Sequence, residues 1–151
     1  MLLGWLLIAC AHGVWAGILK DERCVTAVYS AYNYISFAGL PPKPMWHSRC
    51  RNILKVTSIY AASEIYCNER ERTIGIAQLA DDCQEFGHEA LLSRDTLAEN
   101  LTEEAIRNMR VIEYQELARA DPIDFPVLLS PSYYNLMFNT IVRPLDPWEA
   151  I

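Results

Sequence analysis

Residues 48–67 read SRCRNILKVTSIYAASEIYC, and this stretch decides the fold because a long apolar segment carries a cysteine near each end. Its apolar side chains recur at the three-and-four spacing of an α-helix. The apolar positions are Ile53, Leu54, Val56, Ile59, Tyr60, Ala61, Ala62 and Ile65. So broad an apolar side predicts one helix over 48–67 that is buried on more than one face.

Helices are also predicted on both sides of this segment. Residues 23–37 carry apolar and aromatic side chains at helical spacing. Residues 69–86 form the third helix, because Asn68 and Glu71 have the spacing of a capping box. Gly87 follows and is expected to supply the left-handed stop.

Four cysteines connect these helices, and the helix geometry limits how they pair. Cys50 and Cys67 are 17 positions apart, which is about 25 Å along one helix, so they cannot bond to each other. Two connectivities remain. Short connections make neighbouring helices antiparallel. That arrangement sets Cys24 beside Cys67 and Cys50 beside Cys83, which predicts these two disulfides.

The N-terminal residues indicate export from the cytoplasm. Residues 1–16 read MLLGWLLIACAHGVWA, an uncharged and mostly apolar run that is too short to span a bilayer. It is typical of a signal peptide, with cleavage expected after Ala16. Cys10 would leave with it, and the four remaining cysteines would enter an oxidising compartment. Asn100-Leu-Thr102 is then an expected N-glycosylation site.

The rest of the chain completes a single domain of 151 residues. Residues 101–110 are predicted as a short helix with Asn100 as its candidate N-cap. We assign residues 1–16 to the signal peptide, 17–119 to a helical four-cysteine extracytoplasmic domain and 120–151 to a juxtamembrane-like tail. The fold class is therefore mainly α: a small, disulfide-stapled antiparallel helical bundle with an irregular, proline-containing C-terminal tail.

Several functional classes find no support in the sequence. The net charge of −6 argues against a nucleic-acid partner. No nucleophile elbow, P-loop or dinucleotide fingerprint is present. We therefore assign no catalytic, cofactor-binding or metal-binding residue. We interpret three groups as structural or solvated: the histidines His47 and His88, the acidic residues Asp81, Asp82, Glu85 and Glu89, and the aromatic residues Tyr29, Tyr32, Tyr34 and Phe37.

A family resemblance carries most of the functional interpretation. The residues concerned are CVTAVYSAYNYISF at 24–37, Cys50, LKVTSIYAA at 54–62, Cys67, CQEFG at 83–87, VIEY at 111–114 and PVLLSPSYY at 126–134. This pattern resembles the extracytoplasmic N-terminal region of fungal ferric-chelate reductases of the transmembrane type. The resemblance covers roughly residues 24–140, and the cysteine-framed first half is its most specific part.

The resemblance implies a larger redox protein. Such reductases reduce extracellular Fe³⁺ or Cu²⁺ chelates and pass electrons from NADPH through FAD to haems in a membrane domain. None of the haem, FAD or NADPH residues can be carried over to this sequence, so whether the chain is itself part of an enzyme stays open. The implied partners are a reductase membrane domain, or an iron chelate, at the extracellular face of the plasma membrane. The alternative function is a free-standing secreted, cysteine-stapled interaction or effector protein.

Overall fold

The computed structural model describes residues 20–41, 43–119 and 121–142. The expected signal peptide and the last nine residues lie outside this part of the chain. The helices are α1 (Arg23–Tyr32), α2 (Met45–Arg51), α3 (Ile53–Tyr66), α4 (Glu69–Gly87), α5 (Glu103–Arg107) and α6 (Pro131–Met137), and the strands are β1 (Arg110–Ile112) and β2 (Val127–Leu129). Turns of 3₁₀-helix lie at Lys20–Glu22, Asp95–Asn100 and Tyr114–Arg119, and a π-helical turn lies at Phe138–Val142. The mainly helical fold class is confirmed.

Helix α1 is the centre of the core. Eight of its ten residues are buried, because α3, α4 and α6 pack around it. The helix ends at Tyr32, five residues earlier than the sequence predicted. The chain then extends to a parallel bridge between Phe37 and Ile123. Residues 33–37 therefore connect α1 to the C-terminal segment instead of lengthening the helix.

The prediction of one helix over 48–67 is wrong at Asn52, which divides it into two, and at Cys67, which follows the end of α3. Asn52 adopts an extended backbone conformation with ψ 112° and separates α2 from α3. Its Oδ1 accepts a hydrogen bond from the backbone N–H of Lys55 at 3.0 Å, which caps α3. Its Nδ2 donates to the carbonyl oxygen of Ala38 at 3.0 Å. Both ends of the amide are therefore satisfied by breaking the helix, and the residue is buried at 2% exposure.

Helix α4 begins as the sequence predicted and ends differently. Asn68 and Glu71 form the complete capping box. At the other end, His88 takes the left-handed conformation with φ 54°, while Gly87 stays helical. A Cβ at Gly87 would lie 3.2 Å from Cβ of Trp46. Glycine is therefore present because α2 approaches α4 closely there, and the expectation that Gly87 is the left-handed stop is wrong.

The short helix predicted over 101–110 is reduced to α5. Asn100 ends the preceding 3₁₀ turn, and Thr102 is the N-cap, since its Oγ1 accepts a hydrogen bond from the N–H of Ala105 at 3.1 Å. The expectation of Asn100 as the cap is wrong because the preceding 3₁₀ turn includes Asn100 and α5 begins only at Glu103.

A two-stranded parallel sheet, which the sequence did not predict, joins the C-terminal segment to the helices. Strand β2 pairs with β1 on one side. On its other side, hydroxyls replace a neighbouring strand: Ser58 accepts from the N–H of Val127 at 3.0 Å, and Tyr32 and Tyr66 donate to carbonyl oxygens of β2 at 2.7 Å each. All three residues of β2 are buried. The proline-containing C-terminal region is thus present and contributes β2 and α6 to the core.

Two disulfides connect the helices. Cys24 bonds to Cys67 with their Cα atoms 5.7 Å apart, and Cys50 bonds to Cys83 with their Cα atoms 5.9 Å apart. This connectivity is the one expected from antiparallel neighbours. It holds because the break at Asn52 still leaves Cys50 and Cys67 at opposite ends of the α2–α3 segment.

Candidate functional site

The structure places the cysteines, the glycosylation triplet, the acidic residues and the aromatic residues named above in different parts of the domain. The four cysteines are consumed in the disulfides. Asn100 is exposed, so the expected glycan could project from the surface without disturbing the core. The hydroxyl of Thr102, which completes the glycosylation triplet, caps α5. Glycosylation at Asn100 stays a prediction.

The acidic residues of α4 do not converge. Within the described residues, no group of three or more His, Cys, Asp or Glu side chains is placed to hold a metal ion. Asp82 is half-buried and accepts a short hydrogen bond from Gln78. Glu89 pairs with His47, whose Nδ1 lies 2.7 Å from the carboxylate, and so ties the end of α4 to α2.

The aromatic residues divide between core and surface. Tyr29, Tyr32 and Phe37 are buried, whereas Tyr34 is 63% exposed. The hydroxyl of Tyr32 reaches β2, so this residue is a structural donor within the core. The interpretation of these aromatic residues as core holds for three of the four.

Two buried cations are the unusual feature of the molecule. Arg49 and Lys55 are each 5% exposed, although cationic side chains are almost never this buried without a partner. They lie on either side of the helix break at Asn52. The burial of neither residue was predicted from the sequence. The signal for it was the position of Lys55, the one basic residue within the apolar run at 53–65.

The Arg49 guanidinium is held mainly by aromatic rings. Its Cζ lies 4.2 Å from the ring centroid of Trp46 and 4.8 Å from that of Tyr29, both within cation–π range. Nε donates to Oδ1 of Asn33 at 3.3 Å. Burial lowers the pKa of Arg49, and the neighbouring Tyr29 and Asp82 act in the opposite direction. Arginine remains protonated in this setting.

The Lys55 ammonium has less compensation. Its backbone N–H is bonded to Asn52, but within the described residues its side chain forms no hydrogen bond and no ion pair. Burial lowers the pKa of Lys55 to about 8, and the positive charge of Arg49 contributes in the same direction. At neutral pH the ammonium is therefore charged, at a cost to the folded state.

The charge of Asp82 acts on Arg49, although the two form no ion pair. Burial raises the pKa of Asp82, while its hydrogen bond from Gln78 and the charge of Arg49 lower it. The charges of Glu85 and Glu22 raise it further, so Asp82 has charges of both signs around it.

A groove on another face offers an apolar surface. It has a volume of about 510 Å³. Its apolar lining is Ile65, Leu101, Ile106, Met109, Val111 and Leu128. Glu64 and Arg94 form an ion pair at its edge. A site of this size suits a small molecule or a short peptide segment.

Comparison with known proteins does not identify the chain. No family model, curated protein or solved structure matches it. Among residues 20–41, 43–119 and 121–142, no helix is both long enough and apolar enough to cross a membrane. The two disulfides indicate an oxidising, extracytoplasmic environment.

Proposed function

We propose that this chain is the extracytoplasmic N-terminal module of a ferric- or cupric-chelate reductase and that it serves iron uptake by binding rather than by electron transfer. The observation that carries this proposal is the disulfide framework. The same four cysteines that carry the family resemblance join α1, α2, α3 and α4 into one covalent unit. Such stapling suits a small domain that works outside the cytoplasm.

The binding role rests on the resemblance, because none of the haem, FAD or NADPH residues of the family can be carried over to this sequence. Electron transfer would be the task of haem, FAD and NADPH in other parts of the reductase, as the resemblance implies. This module would then hold or orient the chelate near the outer haem.

Isolation of the native protein tests the proposal. Antibodies against the folded domain would capture the protein from detergent-solubilised membranes and, separately, from culture medium. We expect capture from the plasma-membrane fraction, together with the absorbance of b-type haem and with chelate-reducing activity. Capture from the medium alone, without haem, would contradict the proposal.

A domain exchange tests whether the module is required. In a membrane protein that contains this module, residues 20–142 would be replaced by an unrelated disulfide-bonded domain, with haem content and surface delivery as controls. We expect the KM for ferric chelates to rise while haem content stays the same. An unchanged KM and rate at normal surface delivery would refute a binding role.

The second candidate function is a free-standing secreted interaction or effector protein. The groove beside Ile65 and Val111 favours it, because these apolar side chains are 51% and 48% exposed within a lining of six apolar and four charged residues. Apolar surface of this kind often marks a protein interaction site. Soluble, haem-free protein in the medium is the result that would support this candidate over the reductase module.

A further inference from the structure

We propose that a groove beside Ala38 binds a small apolar zwitterion, a molecule with an apolar body, one ammonium group and one carboxylate group. The groove has a volume of about 480 Å³, which suits a ligand of this kind. Its walls are residues 38–40, residues 51–54 at the break between α2 and α3, and Asp124. It shares no lining residue with the groove described above, and the inference does not depend on the reductase assignment.

The backbone of Ala38 holds the three walls together. Its carbonyl oxygen accepts a hydrogen bond from Nδ2 of Asn52 at 3.0 Å, which fixes the start of α3 against it. Its N–H donates to the carbonyl oxygen of Ile123 at 2.8 Å. Asp124 directly follows Ile123, so the two hydrogen bonds of Ala38 place Asp124 and residues 51–54 around the same groove.

The apolar part of the groove consists of side chains that the core leaves accessible. Leu40 and Leu54 are half-buried, and Ile53 is 56% exposed. Covering them with a ligand is favourable, because it removes apolar area from water. Gly39 continues the wall without a side chain, and its φ of 96° lies in the left-handed region that favours glycine.

Two opposite charges line the same groove without pairing. Arg51 and Asp124 are exposed, and within the described residues neither forms an ion pair with the other or with any third residue. Arg51 donates Nη1 to the carbonyl oxygen of Ala90 at 3.2 Å, which leaves its Nε and Nη2 without an acceptor in that part of the chain. The carboxylate of Asp124 likewise accepts no hydrogen bond there.

A zwitterion satisfies both charges, whereas a ligand with a single charge satisfies only one. Its ammonium would pair with Asp124, and its carboxylate would accept from Arg51. Arg51 would repel a purely cationic ligand, and Asp124 would repel a purely anionic one. The carbonyl oxygens of Gly39 and Leu40 accept no hydrogen bond from a described residue and offer further acceptors for the ammonium. Free apolar amino acids and short apolar peptides with free termini share this chemistry.

The test is a titration of the purified, disulfide-bonded chain, followed by the amide chemical shifts in NMR spectra. The ligands are leucine and leucyl-leucine, which distinguish a free amino acid from a short peptide. Each is compared with its N-acetylated form, which lacks the positive charge, and with its C-terminal amide, which lacks the negative charge. Shift changes at the amides of Gly39, Leu40 and Ile53 report whether a ligand lies in the groove.

Three variants assign the charges. Asp124→Asn should weaken binding of the zwitterion by about five-fold and leave the N-acetylated form unaffected, because that form has no ammonium. Arg51→Gln should weaken binding of the zwitterion by a similar factor and leave the C-terminal amide unaffected. Asp121→Asn removes an exposed carboxylate outside the groove lining and should bind as the wild type does. All three positions are exposed, so the variants should fold.

We expect at least one zwitterion to bind the wild-type chain more tightly than either of its singly charged forms. The proposal is overturned if neither zwitterion binds at millimolar concentration, if a singly charged form binds as tightly as its parent, or if the shift changes lie outside the groove. It is also overturned if Asp124→Asn or Arg51→Gln binds the zwitterion as the wild type does. None of these results bears on haem association, so a failure here is distinct from a failure of the proposed function.

Discussion

Replacement of Gly75 by alanine should destabilise the domain, although alanine is the better helix former. Gly75 lies within α4 where it crosses α1. A Cβ at this position would lie 2.5 Å from Cβ and 2.6 Å from Cγ2 of the fully buried Val25. Two non-bonded carbon atoms prefer a separation of about 3.5–4.0 Å, so the alanine methyl has no space.

The loss of stability depends on which atom of Val25 the alanine methyl would contact. A rotation of Val25 about χ1 moves its Cγ atoms but not its Cβ, so the two helices must separate by about 1 Å to restore ordinary contact. The Cys24–Cys67 disulfide, next to Val25, opposes that movement. Overpacking costs about 1–3 kcal/mol, and alanine regains about 1 kcal/mol of helix propensity. We therefore expect a net loss of about 2 kcal/mol at most.

Urea unfolding followed by circular dichroism would measure this loss as a lower midpoint at an unchanged slope. Gly87→Ala is the matched control, because its Cβ would meet Trp46 at the milder distance of 3.2 Å, so the loss should be smaller. Equal or greater stability of Gly75→Ala than of the wild type would show that helix propensity, rather than the α1–α4 contact, decides this position.

Three further predictions concern other parts of the fold. Lys55→Met should be more stable than the wild type by up to about 3 kcal/mol at pH 6, because the lowered pKa of about 8 penalises the charged amine in the folded state. This difference should shrink as pH rises from 8 to 10.5, and parallel stability curves across that range would contradict the burial of a charged amine. Serine at both Cys50 and Cys83 should cost about 2–4 kcal/mol in chemical unfolding, since the bridge closes a loop with a sequence separation of 33. Asn52→Ala should cost about 1–2 kcal/mol. Asn52→Asp should cost more, because it buries a carboxylate and sets one of its oxygens against the carbonyl oxygen of Ala38. A cost of Asn52→Asp below that of Asn52→Ala would show that the cap of α3, rather than the bond to Ala38, decides this position.

Local features of the sequence were sufficient to predict the helical framework. The capping box at Asn68 and Glu71 depends on residues three apart, so its formation requires no distant contact. The disulfide connectivity followed from the lengths of the helices and the short connections between them. The resemblance to ferric-chelate reductases adds a functional hypothesis that rests on the same cysteines and awaits experiment.

Features that depend on distant neighbours could not be predicted in the same way. The break at Asn52 needs the carbonyl of Ala38, which residues 48–67 do not contain. The local sequence predicts Gly87 as the helix stop. Its actual role, the close approach to Trp46, is a tertiary contact that the local sequence does not reveal. Strand β2 exists because Ser58, Tyr32 and Tyr66 satisfy its backbone from the helices.

The sequence by itself determined the helical segments around the four cysteines and the pairing of those cysteines, because periodicity, capping and chain length act over short distances. Only the tertiary structure decided where the charges lie. Arg49 and Lys55 are ordinary surface residue types, and nothing local requires their burial. They are buried because α1, α2 and α3 pack around the break between the two helices.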